Sequence, residues 1–223
     1  KSTGASDFTA LTEPTPGKPN AAPVVGPIVI TEILYHPADV QDAEYVELLN
    51  ISDQSVSLYD AEKGVSWRFT DDPDDPTIDM LFPSDSVVNL LPGEYLILAQ
   101  DPAAIRTRYG LPTRAKIYGW GAGRLADGSG KVQLSRPFAV EDDGAVEWLA
   151  VDRVSYSDGS HPQDFVGGVD PWPVEADGQD LSLHRIDPQA YGNDPANWQA
   201  ATPSPGKQHD NETWNIGDRS GER

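Results

Sequence analysis

Short apolar runs rich in β-branched residues, each ended by Gly, Pro or Asp, constrain the fold of this chain most strongly. The runs "IVITEILY" at 28–35 and "EYLILA" at 94–99 have the length and composition of buried strands. The run "AEYVELLN" at 43–50 alternates, with Val46 and Leu48 on one face and Tyr45 and Glu47 on the other. Similar short runs recur to residue 186. The pattern predicts an all-β fold, an antiparallel sandwich.

One segment has the signals of a short helix instead. In "DPAAIRTRYG", Asp101 can cap the first turn, Pro102 fits the first helical position and Gly110 fits the exit. Ile105 and Tyr109 are four residues apart and fall on one face. The sequence therefore predicts one helical insertion at about 101–109.

Charge excludes several classes of partner. The 223 residues include 36 acidic and 16 basic side chains, for a formal net charge of −20. Such a field repels phosphates, so we expect neither nucleic acid nor an anionic membrane as a partner. No apolar run approaches the roughly 18 residues of a spanning helix, so we expect no membrane insertion. The absence of cysteine rules out disulfides and a thiol nucleophile.

A short phrase occurs near both ends of the chain. "TEPTPGKPN" at 12–20 matches "ATPSPGKQH" at 201–209, and the match extends leftward to place Phe8 under Trp198 with one inserted residue. Self-similarity of this kind indicates a repeated structural unit. The first 26 residues also have few large apolar groups and four prolines, so they cannot form a core of their own.

An ordered series of phrases resembles the bacterial form of the lamin-tail domain. The series runs "IVITEILYHP", "AEYVELLNISDQSVSL", "WRF", "LLPGEYLILAQD", "RLADGSGKVQLS", "DRVSYSD" and "LSLHRIDP…NWQAATPSPGK". It covers roughly 26–207 and is interrupted by long acidic insertions at 71–77 and 157–180. The resemblance implies an immunoglobulin-like sandwich without catalytic activity, used as an interaction surface in large secreted or surface proteins.

The resemblance also gives an interpretation of the repeated phrase, because the family's domain ends on such a phrase. Residues 1–26 are then an extension that resembles the end of a preceding lamin-tail domain, 27–207 the sandwich and 208–223 a second extension. This organisation indicates a tandem array. Two alternatives stay open: the two ends of one domain pair in similar ways, or the N-terminal segment packs on a neighbouring chain.

Three glutamates lie within the first two strands. Glu32, Glu44 and Glu47 offer a paired carboxylate site for acid–base chemistry or for a cation. The alternative is that one of them caps backbone groups of a loop while the others face water. If alternation holds, Glu32 shares a strand face with Ile30 and Leu34.

Three acidic stretches are candidates for calcium, because carboxylate oxygens are its usual ligands: "DDPDD" at 71–75, "EDDG" at 141–144 and "DGQD" at 177–180. No loop matches the twelve-residue helix–loop–helix calcium pattern. Calcium is the one cofactor that these clusters indicate, without a defined site, and the alternative is that they are solvated surface loops. The candidate ligands are Asp71, Asp72, Asp74, Asp75, Asp142 and Asp143.

Histidine and serine patterns indicate no catalytic or zinc centre. The four histidines lack the spacing of a zinc protease, and no G-x-S-x-G elbow is present. His184 is interpreted as a strand residue that fills a sheet face.

Aromatic residues divide into core and contact candidates. Trp67, Trp148 and Trp198 lie in strand or closing phrases and are expected in the core. Aromatic side chains on a polar frame are typical anchors of interfaces. The expected partner contacts are Phe8, Trp172 and Trp214.

These observations favour a non-catalytic structural or adhesive module at a bacterial cell surface or outside the cell. Its terminal segments would bridge to other copies or to adjacent domains, including by addition of strands at sheet edges. The alternative is an accessory module of a larger secreted hydrolase or surface protein that binds a polysaccharide or a protein. An enzyme would require converging titratable groups in a pocket, and the sequence identifies no such set.

Overall fold

A computed structural model describes residues 11–38 and 43–207 of the chain. These residues are mostly strands, with one α-helix, α1 (Pro102–Arg108), and three short 3-10 helices at Pro162–Asp164, Val174–Ala176 and Pro195–Asn197. The strands are β1 (Ile28–Leu34), β2 (Tyr45–Asn50), β3 (Val56–Ser57), β4 (Tyr59–Asp60), β5 (Val65–Ser66), β6 (Arg68–Thr70), β7 (Asp79–Leu81), β8 (Asn89–Leu90), β9 (Tyr95–Ala99), β10 (Lys116–Gly119), β11 (Ser129–Val140), β12 (Val146–Ser157), β13 (Ser182–Arg185) and β14 (Trp198–Ala201). The β-rich class predicted from the sequence is confirmed.

Two sheets hold most of these strands. The larger sheet has the order β10-β9-β2-β1-β13-β14, and the smaller has the order β12-β11-β6-β7. The pairs β3–β8 and β4–β5 form two further ladders. The expectation of antiparallel pairing throughout is wrong at β9 and β10, which are parallel. Helix α1 joins these two strands, and parallel neighbours require such a crossover.

Both large sheets contribute to one apolar core. Ile30, Leu48 and Leu183 of the larger sheet share this core with Phe69 and Leu134 of the smaller sheet. Val46 and Leu48 face this core, whereas Tyr45 belongs to a second apolar cluster on the other side of β2. The predicted alternation of this strand is therefore confirmed.

Helix α1 covers that second cluster. Its residue Ile105 is buried there beside Leu34 and Ile97, and Tyr109 packs against the same group. The Oδ1 atom of Asp101 accepts hydrogen bonds from the amides of Ala103 and Ala104, at 2.8 and 3.1 Å. The predicted cap and the buried face of the helix are both confirmed.

A β-bulge interrupts β1 where the two sheets are linked by a buried ion pair. The register with β2 shifts between Ile30 and Glu32, so that β1 carries one additional residue. The Ile30 amide donates to Asp152 Oδ2 of β12 at 2.8 Å, and Arg185 Nη1 donates to the Ile30 carbonyl at 3.0 Å. Arg185 and Asp152 are 2.6 Å apart. The pair thus satisfies the backbone of β1 at the irregular position.

Four tryptophans are buried and one predicted core tryptophan is not. Trp67 and Trp198 lie in the core as expected, and Trp120 joins them. Trp148 is only half-buried, and the guanidinium of Arg68 lies 5.5 Å from the centre of its ring. Its strand segment pairs only with β11 at this point, so no sheet covers it.

Candidate functional site

The three glutamates of the opening strands are all buried, and each accepts a hydrogen bond from a loop amide. The Ser204 amide donates to Glu32 at 3.1 Å, and the Gly206 amide donates to Glu47 at 2.6 Å. The Leu125 amide donates to Glu44 at 2.8 Å. The alternative in which one glutamate caps a loop and the others face water is therefore wrong. Glu32 and Glu47 thus hold a loop against β1 and β2, and Glu44, the residue before β2, holds another.

The bulge places Glu32 next to Glu47. With strict alternation, Glu32 would share a face with Ile30, but Ile30 lies in the main core. The additional residue, Thr31, shifts the alternation, so Glu32 is paired directly with Glu47 of β2 and with His184 of β13. Thr31 donates its hydroxyl to Glu47 Oε1 at 2.8 Å. The two carboxylates consequently lie side by side on the face away from the core.

A set of polar side chains surrounds Glu32. Its Oε1 atom accepts hydrogen bonds from the Tyr45 hydroxyl and from Ser182 Oγ, the latter at 2.6 Å. His184 Nε2 lies 3.2 Å from the same oxygen and 2.9 Å from Ser182 Oγ. His184 fills a sheet face as predicted, but that face is polar. Ser182 is fully buried, so its hydroxyl positions Glu32 and does not face an open cleft.

The closing phrase of the domain forms the turn that these glutamates hold. Lys207 N–H donates to the Ser204 carbonyl at 3.1 Å, and Gly206 between them has a φ of 78°, which favours glycine. The amides of Ser204 and Gly206 point to the carboxylates of Glu32 and Glu47. Pro205, between these two amides, is buried. We call residues 204–207 the seated turn.

Burial changes the protonation chemistry of the pair. Desolvation and the nearby Glu32 charge raise the pKa of Glu47 well above its usual value, although the hydrogen bonds from Gly206 and Thr31 oppose this. Desolvation and the Glu32 charge likewise raise the pKa of Tyr45. Glu47 therefore favours a bound proton, and the two side chains accept the backbone amides of the seated turn.

The first copy of the phrase forms the same turn without a receptor. Lys18 N–H donates to the Thr15 carbonyl at 3.1 Å, and Gly17 has a φ of 73°. Pro16 and Gly17 are exposed, and a Cβ built on Gly17 meets nothing within 4 Å. Within 11–38 and 43–207, no carboxylate accepts a hydrogen bond from the Thr15 or Gly17 amide. We call residues 15–18 the free turn.

A cleft of about 400 Å³ opens beside the seated turn. Glu32 and Glu47 line it, together with other residues of β1, β2 and β13 and of neighbouring loops, and Ser204 and Lys207 of the seated turn also line it. The lining further includes Leu49, Asn50, Tyr95, Ile186, Pro188 and Gln189. Its volume lies in the range of small-molecule sites.

The predicted calcium ligands lie in two loops with other contacts. Asp71 closes its own loop by accepting the amides of Thr77 and Ile78, both at 2.9 Å, and Asp72 forms an ion pair with Lys131 at 3.1 Å. Asp74 and Asp75 follow in the same loop, and Asp142 and Asp143 lie in the exposed β11–β12 turn. Among the described residues, no three of these six carboxylates come within ligand distance of one another. Calcium at these residues stays a prediction.

Another group has the spacing of a metal site. One ligand atom each from Asp158, His161 and Asp170 lies within 4.8 Å of the others. These atoms already have partners: His161 Nδ1 is 3.0 Å from Asp158 Oδ1, and Asp170 accepts from Ser157 Oγ at 2.5 Å. The group as it stands holds together the loop that follows β12.

The predicted aromatic contacts have different outcomes. Phe8 and Trp214 lie outside the described residues. Trp172 is only 3% exposed, and its ring centre is 6.1 Å from that of Trp198. An exposed ring at Trp172 was therefore wrong, because the loop folds back and buries it.

Sequence reasoning missed the partners of the glutamates. Ser182, Ser204 and Gly206 carry no motif of their own, and they meet Glu32 and Glu47 through strand pairing and chain closure. The repeated phrase was the available signal, since it marked the turn as more than a linker.

No protein-family model matches the chain, and no curated protein matches it. In the described part of the chain, the helices are all too short or too polar to cross a membrane.

Proposed function

We propose that this chain is a non-catalytic, lamin-tail-like module with an immunoglobulin-like sandwich fold. It acts as a structural or adhesive unit outside a bacterial cell or at its surface. It assembles with other copies, or with adjacent domains, through its terminal segments. The ordered phrases and the core shared by two sheets support this proposal.

The observation that carries the proposal is the pair of identical turns. The seated turn closes this domain on Glu32 and Glu47, and the free turn has the same hydrogen bond and a similar glycine φ, with Pro16 and Gly17 exposed. A preformed turn with two aligned donors is suited to a receptor that the described residues do not supply. Terminal segments that bind a neighbouring unit meet this requirement.

The test is the mass of the particle in solution. We expect sedimentation velocity of the full chain at rising concentration to show dimers or larger species, and electron microscopy to show ordered multimers. A single monomeric species across about three decades of concentration would contradict assembly through the termini.

The same experiment tests whether calcium contributes to assembly. The acidic loops at 71–75 and 142–143 would bind it at the surface, where it would reduce repulsion between units of high negative charge. Multimers that dissociate when a chelator is added and re-form when calcium is restored would support calcium as a bridging ion. Multimers unaffected by chelator would remove calcium from the proposal.

The cleft favours a second candidate function, an accessory module that binds a polysaccharide or protein. Tyr95 offers an aromatic surface, and Gln189 and Lys207 offer polar groups around a volume of about 400 Å³. A glycan array and a thermal-shift screen against cell-wall fragments test this candidate. Binding that is lost in Tyr95→Ala and kept in Tyr59→Ala would support it.

A further inference from the structure

Two turns in this chain have the same backbone chemistry but different surroundings. Both read Pro-(Thr/Ser)-Pro-Gly-Lys, and in both the Lys amide donates to the carbonyl three residues earlier at 3.1 Å. The glycine φ values are 73° in the free turn and 78° in the seated turn. Because proline restricts the preceding and central positions, these turns are formed before they bind anything.

We call the Glu32–Glu47 pair the receptor, because both of its hydrogen bonds to the seated turn come from backbone amides. Glu32 and Glu47 accept the first and third amides of the seated turn, and the proline between these amides is buried. The free turn presents the same two amides and the same proline, Pro16, which is exposed. Replacement of Ser204 by Thr15 changes only one methyl group. The backbone donors that Glu32 and Glu47 accept are therefore the same in both turns.

The free turn carries a basic residue that suits an acidic surface. Glu32 and Glu47 form a buried pair of acidic side chains whose oxygens accept the two amides of the seated turn. The free turn also carries Lys18 at the position of Lys207, which lines the cleft beside the receptor. In a molecule with a net charge of −20, this turn is a segment suited to an acidic receptor.

We propose that the free turn of one chain docks on the Glu32–Glu47 pair of a second copy, in exchange for that copy's seated turn. The hydrogen bonds lost and gained in this exchange are the same, as in domain swapping. The inference rests on the proposed function, because it names the residues by which the terminal segment would bridge copies. Assembly through other surfaces would not require the Glu32–Glu47 pair, so the docking is a separate claim.

Cross-linking between two different chains tests the docking. The protein has no native cysteine, so Lys18→Cys in one chain and Gln189→Cys in the other provide a specific pair. Gln189 is exposed and lines the cleft together with Lys207, whose position Lys18 would take. We expect a disulfide-linked heterodimer on a non-reducing gel. A Ser86→Cys chain, whose exposed cysteine lies outside the cleft lining, is the control and should form about tenfold less.

Matched glycine variants give opposite expectations for the same substitution. Gly17→Val opposes the φ that the free turn requires, and should reduce the heterodimer about tenfold. Gly206→Val opposes the same φ in the seated turn, and should increase the heterodimer by freeing the receptor. Equal yields in the parent and in Gly17→Val would overturn the inference.

A peptide provides a measurement that does not depend on how the variants fold. The peptide of residues 12–20 should compete with cross-linking of the Lys18→Cys and Gln189→Cys chains, and the same peptide with Gly17→Val should not. Failure of the parent peptide to compete would overturn the docking even if cysteines cross-link.

The result separates this inference from the proposed function. If the chain forms multimers and the Gly17→Val variant forms them equally well, the proposed assembly is supported and docking of the free turn on the Glu32–Glu47 pair is contradicted. If the full chain stays monomeric and no heterodimer appears, both the proposed assembly and the docking are contradicted.

Discussion

At the scale of single residues, the buried carboxylate of Glu47 makes stability depend on pH. Its pKa is raised in the folded state by desolvation and by Glu32. Below the usual glutamate range both states hold the proton, so the folded state loses nothing. As pH rises, the unfolded chain releases this proton before the folded chain does. The free energy of unfolding therefore falls until the pH passes the folded pKa.

Glu47→Gln tests this relation, since glutamine resembles the protonated acid and can still accept the Gly206 amide. We expect the parent to lose stability relative to the variant by about 1.4 kcal/mol per pH unit above the usual glutamate range. Urea unfolding at a series of pH values measures the difference. If the stability difference between the parent and Glu47→Gln does not change with pH, the folded protein does not hold a proton on Glu47 in this range.

The ion pair of Arg185 and Asp152 gives a second prediction at this scale. Both groups are buried, and they also satisfy the amide and carbonyl of Ile30. Asp152→Asn leaves the Arg185 charge without a counterion, which costs about 3–5 kcal/mol. Arg185→Met should cost a similar amount, and the double variant should cost less than the sum. Denaturant unfolding of all four proteins tests this, and simple additivity would contradict the coupling.

At the scale of an element, helix α1 depends on its cap. Two amides of its first turn bind Asp101, and only seven residues follow. Asp101→Ala should lower the free energy of unfolding by about 1 kcal/mol, whereas Asp101→Asn, which retains an acceptor, should stay near the parent. Thermal unfolding of the three proteins distinguishes these outcomes, and equal losses would show that charge and not capping matters.

The seated and free turns should differ in their importance for stability. Gly206→Val strains a turn that buries Pro205 and satisfies two carboxylates, so we expect a loss of about 1–3 kcal/mol. Gly17→Val strains an exposed turn and should change the free energy of unfolding by less than about 0.5 kcal/mol. Calorimetry compares the two melting temperatures, and equal decreases would show that the free turn is also packed.

At the scale of the whole molecule, net charge opposes compaction. The 36 acidic and 16 basic side chains leave −20, and repulsion between surface carboxylates destabilises the folded state. The Debye length falls from about 10 Å at 0.1 M salt to about 3 Å at 1 M. We therefore expect the melting temperature to rise with potassium chloride over this range. A fall would show that attractive surface pairs, such as Lys131–Asp72, dominate.

Much of the architecture was predictable because it depends on local chemistry. Alternation in β2, the β-branched composition of β1 and the cap of α1 each act over a few residues, and the structure agrees with each prediction. The bulge at Thr31 was not predictable in this way. It depends on Asp152, more than one hundred residues away, accepting the Ile30 amide in place of a neighbouring strand.

The candidate site illustrates the same division. The sequence showed the two glutamates and showed that the closing phrase occurs twice, but not that they belong together. Trp172 was a predicted partner contact in a Gly/Pro-rich stretch, and the chain path buries it against Trp198.

The sequence by itself determined which segments are strands, where the helix begins and that two turns share one conformation. These properties follow from side-chain branching, apolar periodicity and proline–glycine geometry, which act within a few residues. Only the tertiary structure decided that Glu32 and Glu47 lie side by side and hold one of those turns. Burial of a charged group is favourable only with partners in place, and strands distant in the sequence supply those partners.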